Sequence, residues 1–426
     1  MAVTAANAVE TVFRIESARI IAGVARIVRD VGIAEELAQD ALVAALEQWP
    51  ESGIPDNPGA WLMATARHRA IDLVRRRETY ARKLAEMGRD LDGVSGEPEP
   101  VAADPDDIDD GLLRLIFTSC HPVLSTEARI ALTLRLLGGL TTEEIARASL
   151  TSEPTVAQRI VRAKRTLGRA AVPFEVPYGP ERAARLGSVL EVIYLVFNEG
   201  YAATAGDDWL RPALCEDALR LARVLAGLMP AEPEVHGLAA LLELQASRTA
   251  ARTAPDGAPV LLADQNRARW DRLLIRRGLA ALLRASDTAN RTAGGEAATL
   301  GQALGPYALQ AAIAACHARA ARYEDTDWAA ITALYDRLAA LTPSPVVELN
   351  RAVAVSMAEG PAAGLVLVDA LAADPALKAY HLLPSVRGDL LVRMGRTDEA
   401  RAEFVRAAEL TRNERERAML LDRAGR

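Results

Sequence analysis

The sequence predicts an all-α protein, and three observations support that prediction. Ala, Leu and Arg are abundant, runs of strand-forming residues are rare, and aromatic side chains make up only 4% of the chain. With 426 residues, half of them hydrophobic, the chain can bury more than one core. We therefore expect several helical domains. The sequence predicts four segments: an N-terminal domain (residues 1–78), a linker (79–110), a second domain (111–172) and a long C-terminal domain (173–426).

The charged side chains are segregated along the chain. The formal net charge of −7 argues against uniform attraction to nucleic acid. Residues 111–171 nevertheless carry nine basic and four acidic side chains, whereas residues 78–110 carry three basic and eleven acidic ones. The first of these segments has the charge that phosphate contacts require. The second, which also contains three prolines, is typical of a flexible acidic linker.

The N-terminal domain begins with two predicted helices and a loop. Residues 9–30 and 34–49 each carry an apolar stripe, and residues 50–59 (PESGIPDNPG) are too rich in Pro and Gly for regular structure. On the second helix, side chains at i, i+3 and i+4 form a polar edge, namely Glu36, Gln39 and Asp40. On its own, such an edge is most often only a solvated face.

A basic helix follows the loop, with Trp61 at its start and Arg67, His68 and Arg69 along it. Three consecutive arginines end it, and these offset the helix macrodipole whatever the function. An aromatic side chain and several cations beside a polar loop also suit a single nucleic-acid strand, on which rings stack and cations follow phosphates. From the residues alone, both interpretations stay open.

The basic segment contains a helix-turn-helix pattern. Thr141 and Glu144 have the spacing of a capping box, which predicts a short helix over residues 142–148. After a turn, a longer helix is predicted over residues 153–168, with Pro154 in its first turn. Its apolar positions recur at i, i+4, i+7 and i+11, namely Val156, Ile160, Ala163 and Leu167.

The opposite face of this longer helix suits DNA. Gln158 and Arg162 are side-chain types that read base edges in the major groove. Thr155, Arg159 and Lys164 suit phosphates. The alternative is a helical hairpin whose basic face is merely solvated.

Three cysteines are too widely spaced for a zinc site or a disulfide framework, namely Cys120, Cys215 and Cys316. We expect buried thiols in a reducing cytoplasm. Neither a signal peptide nor an apolar run of membrane-spanning length is evident, so the sequence predicts a soluble cytoplasmic protein.

The long C-terminal part resembles tetratricopeptide (TPR) repeats. Small residues and one Phe recur there at the repeat's spacing, namely Gly388, Gly395, Ala400, Phe404 and Ala407. Stacked helices with a concave face suit binding, and no motif for a nucleophile, a metal or a phosphate loop is present. The residues proposed for a candidate groove are Asp264, Arg269, Trp270, Tyr307, Asp327, Trp328, Asn350 and Arg351. Hydrogen bonding within the core explains most of them equally well.

Three motifs, in order, resemble those of a bacterial RNA polymerase sigma factor of the extracytoplasmic-function, sigma-70-like type. The family's polymerase-binding helix is similar to AEELAQDALVAALEQW in this sequence. Its promoter-melting helix is similar to NPGAWLMATARHRAIDLVRRR. Its helix-turn-helix that reads the upstream promoter element is similar to LTTEEIARASLTSEPTVAQRIVRAKRTL. One class of these sigma factors has a TPR-like C-terminal extension. Five segments of this sequence resemble parts of that extension, namely FNEGY, DQNRARWD, GPYALQAAIAACHA, TDW and PSPVVELNRAVAV. The resemblance therefore covers nearly the whole chain.

The resemblance implies three sets of contact residues. Core polymerase would be bound by Glu36, Leu37, Gln39 and Asp40. The −10 promoter element would meet Trp49, Asp56, Asn57, Trp61, Arg67, His68 and Arg69. The −35 element would be contacted by Thr155, Ala157, Gln158, Arg159, Arg162 and Lys164. At the position of Ala157 the family frequently has a polar or basic residue. At the position of His68 it commonly has Asn.

By the same resemblance the chain is not an enzyme and needs no cofactor or metal, and its partners are core RNA polymerase and promoter DNA. The TPR-like domain is expected to regulate it, by packing on the sigma domains or by receiving a partner. Two rival interpretations stay open. One is a helix-turn-helix regulator that never meets polymerase, and the other is a TPR scaffold with a degenerate sigma remnant.

Overall fold

Helices form most of the protein, as the composition predicts. The computed structural model describes residues 2–88, 105–149, 151–202, 205–206, 209–255, 257–292 and 304–425. The chain divides into two compact units, Met1–Val192 and Ile193–Arg426. We describe each unit separately.

The first unit is a helical assembly around its longest N-terminal helices. Its helices are α1 (Ala2–Val28), α2 (Val31–Ser52), α3 (Pro58–Gly88), α4 (Pro105–Ser119), α5 (Thr126–Leu136), α6 (Thr142–Ala148), α7 (Glu153–Arg169) and the first part of α8 (Gly179–Tyr201). Helix α1 packs against α2, α3 and α4. Small buried residues at helical spacing permit this close approach, as Ala34 and Ala38 do in α2 and Ala66 and Ala70 do in α3.

The loop predicted over residues 50–59 is shorter in the structure. Helix α2 continues through Pro50 to its end at Ser52, and α3 already begins at Pro58, so the prediction was wrong at both ends. A proline in the last turn removes only one backbone hydrogen bond, and a proline in the first turn removes none. The Asn57 side chain accepts a hydrogen bond from the Ala60 amide at 3.1 Å, which caps α3.

The acidic linker predicted over residues 79–110 is helical at both ends. Helix α3 extends to Gly88 because residues 79–88 contain mostly good helix formers, and α4 starts at Pro105, a favoured first helical residue. The prediction of a flexible segment was wrong there. Residues 89–104 lie outside the described part of the chain, so flexibility in the middle of the linker stays a prediction.

The first unit extends past residue 172 because the start of α8 is bonded to α4 and α5. The Arg185 guanidinium donates to the Phe117 carbonyl at 3.0 Å, and the Ser188 hydroxyl donates to the Cys120 carbonyl at 2.6 Å. Arg129 of α5 donates to Ser188 and forms an ion pair with Glu191 at 3.1 Å. Sequence patterns placed the domain boundary at 172/173, whereas the compact units meet at 192/193, inside α8.

The second unit is a series of helices in which neighbours in sequence pack together. After the end of α8 come α9 (Pro212–Leu228), α10 (Pro233–Ala246), α11 (Arg272–Thr292), α12 (Pro306–Arg319), α13 (Trp328–Leu341), α14 (Pro345–Ala358), α15 (Pro361–Leu371), α16 (Leu382–Arg393), α17 (Thr397–Leu410) and α18 (Glu414–Gly425). Two short parallel strands, β1 (Ala205–Gly206) and β2 (Arg412–Asn413), pair the beginning of this unit with its end.

The repeat-like spacing near the C-terminus corresponds to a tight helical pair, α16 and α17. A Cβ atom added at Gly388 would lie 2.7 Å from the Phe404 ring, so only glycine permits this contact. Phe404, Ala400 and Ala407 are buried between the helices. Gly395, in the turn, has a φ of +75°, which glycine adopts without strain. The predicted role of these small residues is confirmed.

Candidate nucleic-acid interface

The helix-turn-helix forms as its capping residues predict. The Glu144 side chain accepts from the Thr141 amide at 2.8 Å, and the Thr141 hydroxyl accepts from the Glu144 amide at 3.1 Å. Ser152 caps α7 by accepting from the Thr155 amide at 3.3 Å. The predicted apolar stripe of α7 is buried, with Val156 and Leu167 at its two ends. Helices α6 and α7 therefore lie within one residue of their predicted bounds.

The opposite face of α7 is exposed. Thr155, Ala157, Gln158 and Arg162 are exposed, and Arg159 is partly buried. Gln158 and Arg162 are four residues apart and so lie on the same side of the helix. These two donors can reach base edges, while the neighbouring Thr155 hydroxyl and Arg159 guanidinium can reach phosphates.

A groove of about 400 Å³ runs between this face and the start of α5, lined in part by Gln158, Arg159 and Arg162. Glu127 lies at its α5 side. A hydrogen bond from its own backbone amide, with smaller effects of Ser125 and Arg159, lowers the pKa of the Glu127 carboxyl. Glu127 therefore stays ionised near neutral pH and places one negative charge beside the basic face.

Lys164 does not share the exposed face of α7. Its ammonium forms an ion pair with Glu35 of α2, a carboxylate that is only 5% exposed. Arg135 of α5 donates to the same carboxylate at 2.6 Å, and Gln39 donates to it at 2.9 Å. Glu35 therefore holds the helix-turn-helix against α2, and Lys164 is engaged in this contact instead of facing solvent.

The predicted polymerase-binding residues of α2 divide into two groups. Glu36 and Asp40 are exposed, and Asp40 forms a 3.7 Å ion pair with Arg69. Leu37 is only 9% exposed and belongs to the core, and Gln39 turns toward Glu35. The exposed acidic side chains are thus available to a partner, whereas Leu37 is packed inside.

Two apolar side chains that sequence reasoning did not single out lie beside this acidic edge. Val43 is 51% exposed and Leu46 is 43% exposed on α2. Val43 follows Glu36 and Asp40 at i+7 and i+3, so the three share one helix face. Both side chains lie outside the apolar stripe that the sequence predicts for α2, and this departure from the helical period could have indicated them.

The residues predicted to meet the −10 element lie at the end of α2, in the turn between α2 and α3 and along the first half of α3. Trp49 is only 2% exposed, and its ring packs edge-on against Trp61 with centroids 5.5 Å apart. Trp49 therefore supports the turn from inside. Asp56, Asn57 and His68 are exposed, and Trp61, Arg67 and Arg69 are partly buried.

The residues proposed for a C-terminal groove are dispersed over the second unit. Trp270 and Tyr307 belong to one buried cluster, and Trp328 packs on another. Asp327 caps α13 by accepting from the Ala330 amide at 2.9 Å, and Arg351 pairs with Glu348 at 2.8 Å. Asp264 and Arg269 are exposed. Asn350 alone among the eight lines the cavity of about 300 Å³ that lies in this unit.

Two of the three thiols are buried, as expected from the sequence. Cys120 and Cys215 are buried, Cys316 is partly buried, and all three are free. Burial raises the pKa of the Cys120 thiol to about 11 and that of Cys215 to about 12. Both therefore stay protonated and unreactive near neutral pH.

Comparison with known families agrees with this arrangement. Residues 13–79 match the sigma-70 region 2 family, and residues 114–167 match sigma-70 region 4. Residues 185–286 match a family of unknown function, DUF6596. These two sigma regions contain the turn between α2 and α3 and the helix-turn-helix, respectively.

Two relatives were found, and one of them is named as a sigma factor. The chain is 46% identical over 397 residues to an uncharacterised protein of Rhizobium meliloti (strain 1021), covering 93% of this chain and 90% of the relative. It is 29% identical over 153 residues to the ECF RNA polymerase sigma factor SigK of Mycobacterium ulcerans (strain Agy99), covering 35% of this chain and 78% of that protein. No solved structure matches. The chain belongs to the sigma-70 family, as a sigma factor of the extracytoplasmic-function type with a helical C-terminal extension.

The described part of the chain contains no candidate membrane-spanning helix. None of the helices there combines the length and the apolar character that crossing a bilayer requires.

Proposed function

We propose that this sigma factor binds core RNA polymerase through the exposed face of α2 and reads the −35 element with the exposed face of α7. The observation that carries the proposal is that both faces are solvent-exposed on well-packed helices. Acidic and apolar side chains together on α2 suit a helical partner, since apolar area supplies affinity and charge sets orientation. On α7, Gln158 and Arg162 supply base-edge donors.

The −10 element is proposed to meet the turn between α2 and α3. Asp56 and Asn57 are exposed in this turn, and His68 is exposed further along α3. The buried Trp49 fixes the turn by packing on Trp61. The exposed arginines at residues 75–77 follow on the same helix and suit the adjoining phosphates. The chemistry of RNA synthesis belongs to the polymerase, so the chain itself contributes binding and positioning only.

Promoter binding requires the contact between α2 and the helix-turn-helix to open. The two promoter elements are about 25 base pairs apart, or about 85 Å along B-form DNA. In the structure Lys164 of α7 touches Glu35 of α2 directly, so the first unit cannot engage both promoter elements at the same time while this contact persists. We therefore regard the docked first unit as the resting state, and polymerase as the partner that separates its two halves.

The second unit is proposed to regulate initiation, as a helical array that contacts the sigma domains or receives a partner. The test compares run-off transcription by the full chain with that of a chain truncated after Val192. Truncation at residue 172 would also remove Arg185 and Ser188, which support α4 and α5, and a loss of activity would then be ambiguous. A change in rate or promoter choice supports regulation, and identical behaviour discards it.

Sequencing of promoters transcribed in vitro by core enzyme plus the full chain tests the function itself. We expect a small set of start sites that share upstream elements at a fixed spacing. Initiation without any shared element would refute promoter reading by α7. It would also favour the rival in which the sigma regions are only remnants on a scaffold.

A further inference from the structure

A cavity of about 300 Å³ in the second unit is not explained by promoter recognition. It lies where the end of α8, α10, α12, α13 and α14 converge, and all its lining residues belong to the second unit. The volume corresponds to about ten water molecules, so the cavity suits a ligand on the order of ten non-hydrogen atoms. Its position among helices is typical of small-molecule sites in helical proteins.

The cavity carries a positive charge without a compensating carboxylate. Arg248 lines it, and none of the thirteen lining residues is Asp or Glu. Two nitrogen atoms of Arg248, Nε and Nη2, donate to the Tyr201 hydroxyl at 3.1 and 2.6 Å. Among the described residues, no carboxylate lies within ion-pair distance of Arg248. A partly buried guanidinium of this kind favours an anionic ligand, which it can bind through two parallel hydrogen bonds.

The guanidinium of Arg248 is held in place by aromatic rings. Its central carbon lies 5.9 Å from the ring centre of Tyr201 and 5.7 Å from that of Trp270. Tyr201 is in turn stacked on Phe197, with ring centroids 5.4 Å apart. The charged end of the site is therefore positioned before any ligand arrives, which reduces the entropy cost of binding.

Two polar atoms at the cavity have no hydrogen-bond partner among the residues that the structure describes. They are Nδ1 of His317 and Oε1 of Gln245, both buried. Burial, followed by the charges of Arg248 and Arg267, lowers the pKa of His317 to about 4, so its ring is neutral near pH 7. Buried polar atoms are nearly always satisfied, and a ligand in the cavity would supply the missing partners.

The remaining walls are largely aromatic. Tyr194, Phe197, Tyr201 and Tyr335 line the cavity, together with Ile313. Flat rings on several sides favour a planar ligand. The Tyr194 hydroxyl is already engaged, since it donates to the Gln310 side chain at 3.2 Å.

We propose that this cavity binds a small planar organic anion, with a carboxylate on Arg248, an aromatic body between the tyrosine rings and a polar edge toward His317 and Gln245. The proposal concerns the second unit alone and does not depend on promoter recognition, because binding is measured without polymerase or DNA. A metabolite of this class would give the extension a chemical signal to sense.

The test is a titration of the full chain with 4-fluorobenzoate, followed by fluorine NMR, beside the neutral isostere 4-fluorobenzamide. We expect the carboxylate to bind at least tenfold more tightly than the amide. Arg248→Met should remove that preference and weaken benzoate binding at least tenfold. The matched control is Arg276→Met, since Arg276 is an exposed arginine of α11, and it should bind benzoate as the unaltered chain does.

A second variant addresses the cavity without touching its charge. Ala314→Phe places a ring into the cavity from α12, and we expect it to abolish benzoate binding while Arg248 remains. This variant decides the question if Arg248→Met fails to fold, as judged by thermal unfolding. Equal binding of benzoate and benzamide, benzoate binding that survives Ala314→Phe, or tighter binding of inorganic phosphate than of benzoate would each overturn the proposal, as would no binding at millimolar concentration.

Discussion

In the first unit, arginines on the outer faces of α3 and α7, among them Arg75, Arg162 and Arg165, are exposed to solvent. In the second unit, Arg252 and Arg267 are less than 10% exposed, and both lie over aromatic rings. Composition cannot distinguish these uses, since both units are helical and rich in arginine. Exposure does, because an outward guanidinium can contact phosphate or bases and an inward one organises its own fold.

The strongest test of the inward role is Arg267→Ala. Arg267 donates to the His317 carbonyl and, at 2.7 Å, to the Ala320 carbonyl, and it lies 4.7 Å from the ring centre of Trp270. Two carbonyls without donors and a lost cation–π contact should lower the free energy of unfolding by about 4 kcal/mol. Urea denaturation measures the change. Arg269→Ala, an exposed neighbour, should change it by less than about 0.5 kcal/mol, and equal effects of the two would contradict the comparison.

A second inward basic group, His317, predicts a dependence of stability on pH. Burial and two nearby arginines lower its pKa to about 4, whereas the unfolded chain has a histidine pKa of 6.5. The unfolded state therefore binds the proton first as the pH falls. Above pH 6.5, the neutral His317 ring does not reduce the free energy of unfolding. As the pH falls from 6.5 to about 4, the free energy of unfolding decreases by up to about 3 kcal/mol because of this group.

Denaturation at a series of pH values isolates this effect if His317→Gln is measured beside the unaltered chain. Carboxylates also titrate below pH 5, but they are common to both proteins. We expect the difference in unfolding free energy between the two to narrow or reverse toward acid. A difference that stays constant from pH 7 to 4 would show that His317 is not held neutral.

The outward role is tested by Arg162→Ala. Because Arg162 is exposed and proposed to read a base, its loss should cost roughly 1–3 kcal/mol at one base pair of the −35 element and relax the preference there. Binding to a library of promoter variants gives this preference. Arg169→Ala, at the exposed end of the same helix, should leave the preference unchanged. A uniform loss across all sequences would make Arg162 a phosphate contact.

The smallest expected effect concerns the Glu35 carboxylate, one of the places where basic groups of the first unit turn inward. Glu35→Gln removes the charge that holds Arg135 and Lys164, so the docked state should be weaker. We expect isolated chain to bind promoter DNA about tenfold more tightly, which corresponds to about 1.4 kcal/mol. Fluorescence anisotropy at fixed salt measures this. The control is Glu47→Gln, which neutralises an exposed carboxylate of α2. The same affinity for promoter DNA in the unaltered chain, Glu35→Gln and Glu47→Gln would exclude the opening step.

Local patterns predicted the helix-turn-helix accurately because its signals are local. The capping box of Thr141 and Glu144 and the cap at Ser152 each act within three residues, and they fix both helices. The contact of Glu35 with Arg135 joins residues 100 positions apart, and no sequence period reveals such a pair. For the same reason Lys164 was expected to face phosphate.

Other differences have equally specific causes. The sequence marks a boundary near residue 173 by its prolines, but Arg185 and Ser188 return the start of α8 to the first unit. The candidate groove combined conspicuous polar and aromatic residues, several of which cap a helix or pack in a core, as Asp327 and Trp270 do. Arg248, His317 and Gln245 were not chosen, because their distinguishing features appear only in three dimensions. Among the described residues, Arg248 has no carboxylate partner, and one buried polar atom each of His317 and Gln245 has no hydrogen-bond partner.

The most direct test of the assignment is capture of core RNA polymerase by the purified full chain. We expect one-to-one binding that is lost when the exposed acidic face of α2 is reversed by Glu36→Lys with Asp40→Lys. The control carries the same change of charge on α17, Asp398→Lys with Glu409→Lys, and should bind polymerase as the unaltered chain does. Failure of the full chain to bind core polymerase, or undiminished binding by the α2 reversal, would contradict the proposal.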